Sequence, residues 1–144
     1  MVTNFDHVTL VVQDVEEAKD FFELLGFLLE KSVVISGTQM DSYMGVPGLE
    51  ADHITLVIPE SDPRQEIQLL HYHHPAATDD LGSGVLSRTG FNHVCFRVTD
   101  LDAEVTRLVA KGVELRNEPM IFHDRKLVFL RGPCDVVVEL AEWL

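Results

Sequence analysis

The chain carries the same pattern twice. Phe5-Asp6-His7-Val8-Thr9-Leu10-Val11-Val12 aligns with Phe91-Asn92-His93-Val94-Cys95-Phe96-Arg97-Val98 at an offset of 86, and the match continues through Asp14/Asp100, Val15/Leu101 and Glu16/Asp102 to Gly26/Gly112. Such a repeat marks one supersecondary unit used twice. Each copy reads as an apolar strand, an Asp at an N-cap position, and an amphipathic helix closed by Gly. In the first helix Val15, Ala18, Phe21, Phe22 and Leu25 follow the i, i+3, i+4, i+7 spacing. In the second, Leu101, Val105, Leu108 and Val109 form the stripe.

Extended segments follow each helix. Phe27 to Ile35, His53 to Pro59 and Glu66 to Tyr72 are β-rich, as are Val113–Arg116, Lys126–Leu130 and Asp135–Glu142 in the second half. Here the offset falls to 71, which pairs Ile67-Gln68-Leu69 with Val138-Glu139-Leu140; the difference of 15 (86 − 71) belongs in the longer Gly37–Ala51 stretch. Each half is thus βαβββ. The fold class expected is α+β, two paired βαβββ modules (residues 1–74 and 91–144) forming a cup-shaped mixed sheet, joined by a Gly/Ser/Asp/Ala-rich connector at 75–90. At about 65–75 residues neither module buries a sufficient core alone, so residues 1–144 are expected to form a single domain.

Charge narrows the partners. Eleven Lys and Arg stand against 24 Asp and Glu, a net charge of −13, with no basic cluster of the kind that binds nucleic acid or an anionic membrane. No apolar run has the roughly 18–20 residues of a membrane span. The N-terminus lacks the basic and apolar regions of a signal peptide. Two isolated cysteines, Cys95 and Cys134, suit a reducing compartment, and a cytoplasmic location is expected. Seven histidines in 144 residues are the first hint of chemistry.

Four polar residues coincide with the repeat. His7 and His93 hold the same place in the first strand of each module, and Gln68 and Glu139 the same place in the last. Alternation puts His7 on a face with Phe5, Thr9 and Val11, and Glu139 with Val137 and Ala141. A carboxylate between Val138 and Leu140 is costly to bury unless paired or bound to metal. Two imidazoles, a carboxylate and an amide oxygen, converging across a pseudo-twofold axis, suit a divalent first-row metal.

With these stretches in view (FDHVTLVVQDVEEAKDFFELLG at 5–26, IQLLHY at 67–72, FNHVCFRVTDLDAEVTRLVAKG at 91–112 and VFLRGPCDVVVELAE at 128–142), the chain resembles the vicinal oxygen chelate superfamily of glyoxalases, bleomycin-resistance proteins and dioxygenases. The resemblance implies a metal site on His7, Gln68, His93 and Glu139, holding Ni, Co, Zn, Mn or Fe. It also implies a metal-dependent lyase or isomerase that chelates vicinal oxygens of a small carbonyl or acyl substrate and stabilises an enediolate or enolate, with Glu139 as the catalytic proton acceptor. Glyoxalase I enzymes of bacteria usually carry Glu where this chain has Gln68, and the His/Gln/His/Glu set is more similar to methylmalonyl-CoA epimerase. Two departures stand out: Met120–Lys126 lacks the Gly-rich segment of those epimerases, and Gly132-Pro133-Cys134-Asp135 replaces the superfamily's Pro-Asp-Gly turn. The alternatives are an extradiol-type dioxygenase, using two His and a carboxylate for Fe(II), or a drug-sequestering binder of the same fold.

Other residues carry weaker readings. Tyr43 and Met44, with Met40, are candidates to cap a substrate; Cys95 shares a face with His93; His123 lies on a loop at a site mouth. His71, His73 and His74 are read as a solvent-facing strand end able to bind metal adventitiously, and His53 as a surface or strand residue. Exposed sheet edges and the resemblance together favour a homodimer.

Overall fold

A computed structural model describes residues 1–78 and 82–144, so positions 79–81 of the expected connector lie outside the described residues. The chain divides into two compact units, Met1–Asp79 and Asp80–Leu144. The first contains β1 (Val8–Val11), α1 (Val15–Leu24), β2 (Leu28–Ser36), α2 (Thr38–Met44), β3 (Glu50–Val57) and β4 (Glu66–His74). The second contains β5 (Val94–Val98), α3 (Leu101–Ala110), β6 (Met120–Phe122), β7 (Arg125–Arg131) and β8 (Val137–Trp143), with a 3₁₀ turn at Pro133–Asp135. The strand orders, β1-β4-β3-β2 and β5-β8-β7-β6, are the same topology twice. In each sheet the first strand runs parallel to the last and the remaining pairings are antiparallel. The α+β class and the doubled βαβββ order are as expected.

The repeat extends to the register. Thr9 stands opposite Gln68 in one sheet and Cys95 opposite Glu139 in the other, positions related by 86 and 71. Both helices begin as their sequences dictate. The Asp14 carboxylate accepts the Glu17 N–H at 2.9 Å and that of Asp100 accepts the Ala103 N–H at 3.0 Å, satisfying otherwise orphaned donors. Both end at glycines with φ near +90°, Gly26 and Gly112. Each helix covers one face of its sheet. Ala18 and Phe22 are buried with Leu10, Leu56 and Leu69, and Leu101 and Leu108 with Leu130 and Leu140. The opposite faces carry His53, Gln68 and Glu139.

Three local expectations change. His7 and His93 each sit one residue before the first strand of their unit, not within it. The first ladder starts at Val8 opposite Ile67, and β4 itself begins only at Glu66, so residues 5 and 6 have no rung to occupy. The strand expected from His53 begins earlier, at Glu50, and the longer Gly37–Ala51 stretch before it holds α2, between Gly37 (φ 92°) and Gly45 (φ 67°). Asp41 seals it by accepting the N–H groups of Gly48 and Leu49 at 2.9 and 2.8 Å. Seven residues without a buried side chain show no helical period to read. Val113–Arg116 is not a full strand. Leu115 forms a single bridge to Leu130, flanked by backbone bonds from Arg116 N–H to the Phe129 carbonyl and from Arg131 N–H to the Glu114 carbonyl, and the Asn117 side chain then accepts the Phe129 N–H at 2.8 Å. Pro119 has no N–H for a ladder, so pairing resumes as β6 at Met120.

Candidate metal centre

Each unit holds one imidazole and one polar strand residue of the predicted quartet, His7 and Gln68 in the first, His93 and Glu139 in the second. In the second unit His93 and Glu139 come together, with Nε2 3.3 Å from Oε2. The His93 ring packs edge-on against Phe129 at 5.2 Å between centroids, and Phe129 faces Glu139 across the β7–β8 ladder. Glu139 is largely buried, its side chain 14% exposed. A carboxylate so placed is costly unless it is paired with an imidazolium or bound to a metal.

The residues preceding the histidines play a part that sequence reasoning missed. His93 Nδ1 lies 2.7 Å from Asn92 Oδ1, and His7 Nδ1 lies 2.5 Å from Asp6 Oδ1. An oxygen acceptor at Nδ1 requires the proton there and leaves the lone pair on Nε2, the form in which imidazole ligates a metal. The signal was present: Asp6 and Asn92 align at the same offset of 86 as the histidines. Their value lay in a hydrogen bond that residue types alone do not announce.

Gln68 is held differently. Its Nε2 donates to Glu66 Oε1 at 2.7 Å, which orients the amide, and its Oε1 accepts from Thr9 Oγ1 at 3.2 Å. His53 Nε2 stands 3.0 Å from the same oxygen. Two donors thus already engage the atom a metal would need. His53 and Glu66 therefore belong to the polar cluster around Gln68 on the face away from α1. Thr55, 7% exposed, stands opposite Gln68 in the β3–β4 ladder.

His93 and Glu139 in the second unit, and His7 by itself in the first, offer an imidazole-and-carboxylate chemistry of the kind that suits a borderline divalent cation such as Zn, Mn, Co, Ni or Fe. The Gln68 oxygen becomes available to an ion only if the Thr9 hydroxyl and the His53 ring both turn away.

Of the other candidates, Cys95 sits opposite Glu139 on the ladder. Desolvation by its neighbours pushes the thiol up to about 12, and the Glu139 carboxylate acts in the same direction. It is a neutral thiol at neutral pH and not a nucleophile. Neither cysteine is in a disulfide. Tyr43 is exposed on α2 and Met44 half-buried at its end. His123 occupies the tip of the β6–β7 hairpin with φ 56° and packs edge-on against Phe122. That tip lies beyond Arg125, four residues along β7 from Phe129 and so about 13 Å from the rung of Glu139. The structure also reveals a grouping the sequence hid. On the Glu139 side of β8, Trp143 carries Arg125 over its ring at 3.9 Å and Arg97 at 5.9 Å. Neither arginine forms an ion pair among the described residues.

A family model described as the Glyoxalase/Bleomycin resistance protein/Dioxygenase superfamily matches residues 4–140. The chain belongs to this superfamily. Among its relatives, an ethylmalonyl-CoA/methylmalonyl-CoA epimerase of Cereibacter sphaeroides is 27% identical over 150 positions, covering 99% of each chain. A glyoxalase family protein from Bacillus cereus superposes with a TM-score of 0.89 at 28% identity, over 100% of this chain and 96% of that one. The fosfomycin resistance protein FosX of Listeria monocytogenes, solved with Mn(II) and sulfate, matches at a TM-score of 0.63 and 18% identity over 100% and 95%, a likeness of fold. The superfamily is the one the repeated motifs resembled. No helix among the described residues is long and apolar enough to cross a membrane.

Proposed function

We propose that the protein is a metal-dependent enzyme that moves a proton next to a carbonyl group, of the epimerase or lyase type. His7, His93 and Glu139 are its metal ligands, with Gln68 as a fourth donor. The observation that carries this reading is the pair of oriented imidazoles, His7 on Asp6 and His93 on Asn92, with Glu139 beside His93. A fold alone needs neither. The proposal concerns the four side chains and holds whether one chain or two copies of it supply them to each ion.

A divalent cation bound there supplies Lewis-acid stabilisation of negative charge developing on a substrate oxygen. The chain's own residues do the rest. Glu139 takes the proton from the acidified carbon at the oxygen it does not give to the ion, and His93, oriented by Asn92, stands 3.3 Å from that carboxylate as its fellow ligand. Cys95, opposite Glu139 and protonated, does not compete as a base. Arg97 and Arg125 beside Trp143 bind an anionic group of the substrate, which favours an acidic acyl compound. The relationship to an ethylmalonyl-CoA/methylmalonyl-CoA epimerase makes methylmalonyl-CoA the first compound to try.

The test follows deuterium uptake from D₂O into methylmalonyl-CoA by mass spectrometry, with tag-free protein loaded with Mn(II), Co(II), Ni(II) or Zn(II). Exchange that needs metal and is lost in Glu139→Gln supports the proposal. Equal exchange with and without Glu139 overturns its role as base. A second reading has its own observation. Because the Gln68 oxygen is already taken by Thr9 and His53, the remaining ligands form a two-His, one-carboxylate set, the donor type of Fe(II) oxygenases. Oxygen consumption with Fe(II) and a catechol would favour that reading. A protein that binds metal-free ligands and turns over none of these compounds would be a binder.

A further inference from the structure

The first unit carries a second group of metal-binding donors, on the opposite face of its sheet from Gln68. Asp52 on β3 stands opposite His71 on β4, and His73 lies two residues along the same strand and therefore on the same face. Their donor atoms all lie within 4.8 Å of one another. His73 Nε2 is 3.0 Å from Asp52 Oδ2, and the two imidazoles meet edge to face at 5.3 Å. With metal–ligand bonds of about 2.0–2.2 Å, donors around one tetrahedral zinc are about 3.3–3.5 Å apart, so small side-chain rotations close the set.

We propose that Asp52, His71 and His73 form a second, separate site for a borderline divalent cation, Zn(II) being the best fit. Three observations carry it beyond an ion pair. His71 is already prepared as a ligand, because its Nδ1 lies 3.2 Å from the Val12 carbonyl oxygen, which fixes the proton on Nδ1 and the lone pair on Nε2. The fold does not ask for a histidine there. In the second unit the equivalent position, 71 residues on, is Glu142, which caps α3 by accepting the Leu101 N–H at 2.8 Å and faces Lys126 across the ladder. A lysine in place of Asp52 cannot ligate, so the donor trio belongs to the first unit alone. Finally, Asp52 opens onto a cleft of about 260 Å³ lined also by Glu16, Lys19 and Ser32, through which an ion and its remaining water ligands have access.

A metal here joins β3 to β4 at two neighbouring positions. It acts as a clamp on the sheet that carries Gln68, and no substrate chemistry is required of it. The site is independent of the quartet proposed above, and the experiment separates the two.

Tag-free full-length protein is equilibrated with zinc chloride, passed through a desalting column and assayed for zinc per chain. The background is His93→Ala/Glu139→Ala, which removes two ligands of the other site. In this background one zinc per chain is expected, with a zinc-dependent rise in Tm. Adding His73→Ala should abolish both. Asp52→Asn, nearly isosteric, should weaken binding at least tenfold and serves where His73→Ala fails to fold. No zinc in the His93→Ala/Glu139→Ala protein overturns the proposal. So does zinc that persists unchanged in folded His73→Ala or Asp52→Asn, which would place the ion elsewhere, such as on His74.

Discussion

Replacing Asp6 by Ala separates its hydrogen bond from every other contribution the residue makes. Its side chain is 86% exposed, so fold stability should stay within about 0.5 kcal/mol of wild type. What is lost is the acceptor 2.5 Å from His7 Nδ1, which holds the ring and places its lone pair on Nε2. Removing such an outer partner typically costs about 10–100-fold in metal affinity. Because water reaches Asp6 freely and competes for the bond, the low end applies, about tenfold or ~1.4 kcal/mol. Asp6→Asn keeps the oxygen and loses the charge, reproducing the arrangement that Asn92 already gives His93 at 2.7 Å, and should lose well under tenfold. The assay is a competition between protein and a chelating dye for Zn(II) or Mn(II), with melting curves alongside. Asp6→Ala binding as tightly as wild type would refute the reasoning. So would equal losses in Asp6→Ala and Asp6→Asn, since charge and not orientation would then be the cause.

The remaining predictions are more local. With its thiol pushed up to about 12, Cys95 has a thiolate fraction on the order of 10⁻⁵ at pH 7, so iodoacetamide should modify it far more slowly than a model thiol of pKa about 8.5. The raised value means that the reactive form gains with rising pH, and Glu139→Gln, which removes a nearby negative charge, should speed alkylation of the metal-free protein; an unchanged rate would count against that coupling. Asp100→Ala removes the α3 cap and should cost about 1 kcal/mol in urea unfolding, whereas no measurable loss would show that the cap is not formed. Gly84→Ala would bring a Cβ within 1.8 Å of the Asp135 carboxylate, which Arg116 holds at 3.0 Å while also donating to the Gly84 carbonyl. A destabilisation of about 1–3 kcal/mol is expected, and a neutral substitution would mean that this turn gives way freely.

The sequence by itself determined the doubled βαβββ plan, because repeat, helix period, caps and strand alternation are local signals that all agree. It also marked His7, Gln68, His93 and Glu139 by their equivalent places in the repeat, and the superfamily they resembled is the one to which the chain belongs. What it could not disclose depends on which side chains meet across strands or at loop ends. Asp6 and Asn92 as orienting acceptors, the Thr9 and His53 contacts that occupy the Gln68 oxygen, and the two arginines over Trp143 are all of this kind. The short α2 helix and the displaced start of β6 escaped for a related reason, since seven or three residues carry too little periodicity, and a side-chain cap or a proline decides them. His71 and His73 show the division most clearly. The sequence shows two histidines at strand spacing, but only the antiparallel register puts Asp52, nineteen and twenty-one positions earlier, beside them. Spacing along a strand is written in the chain; the partner across it is chosen by the ladder.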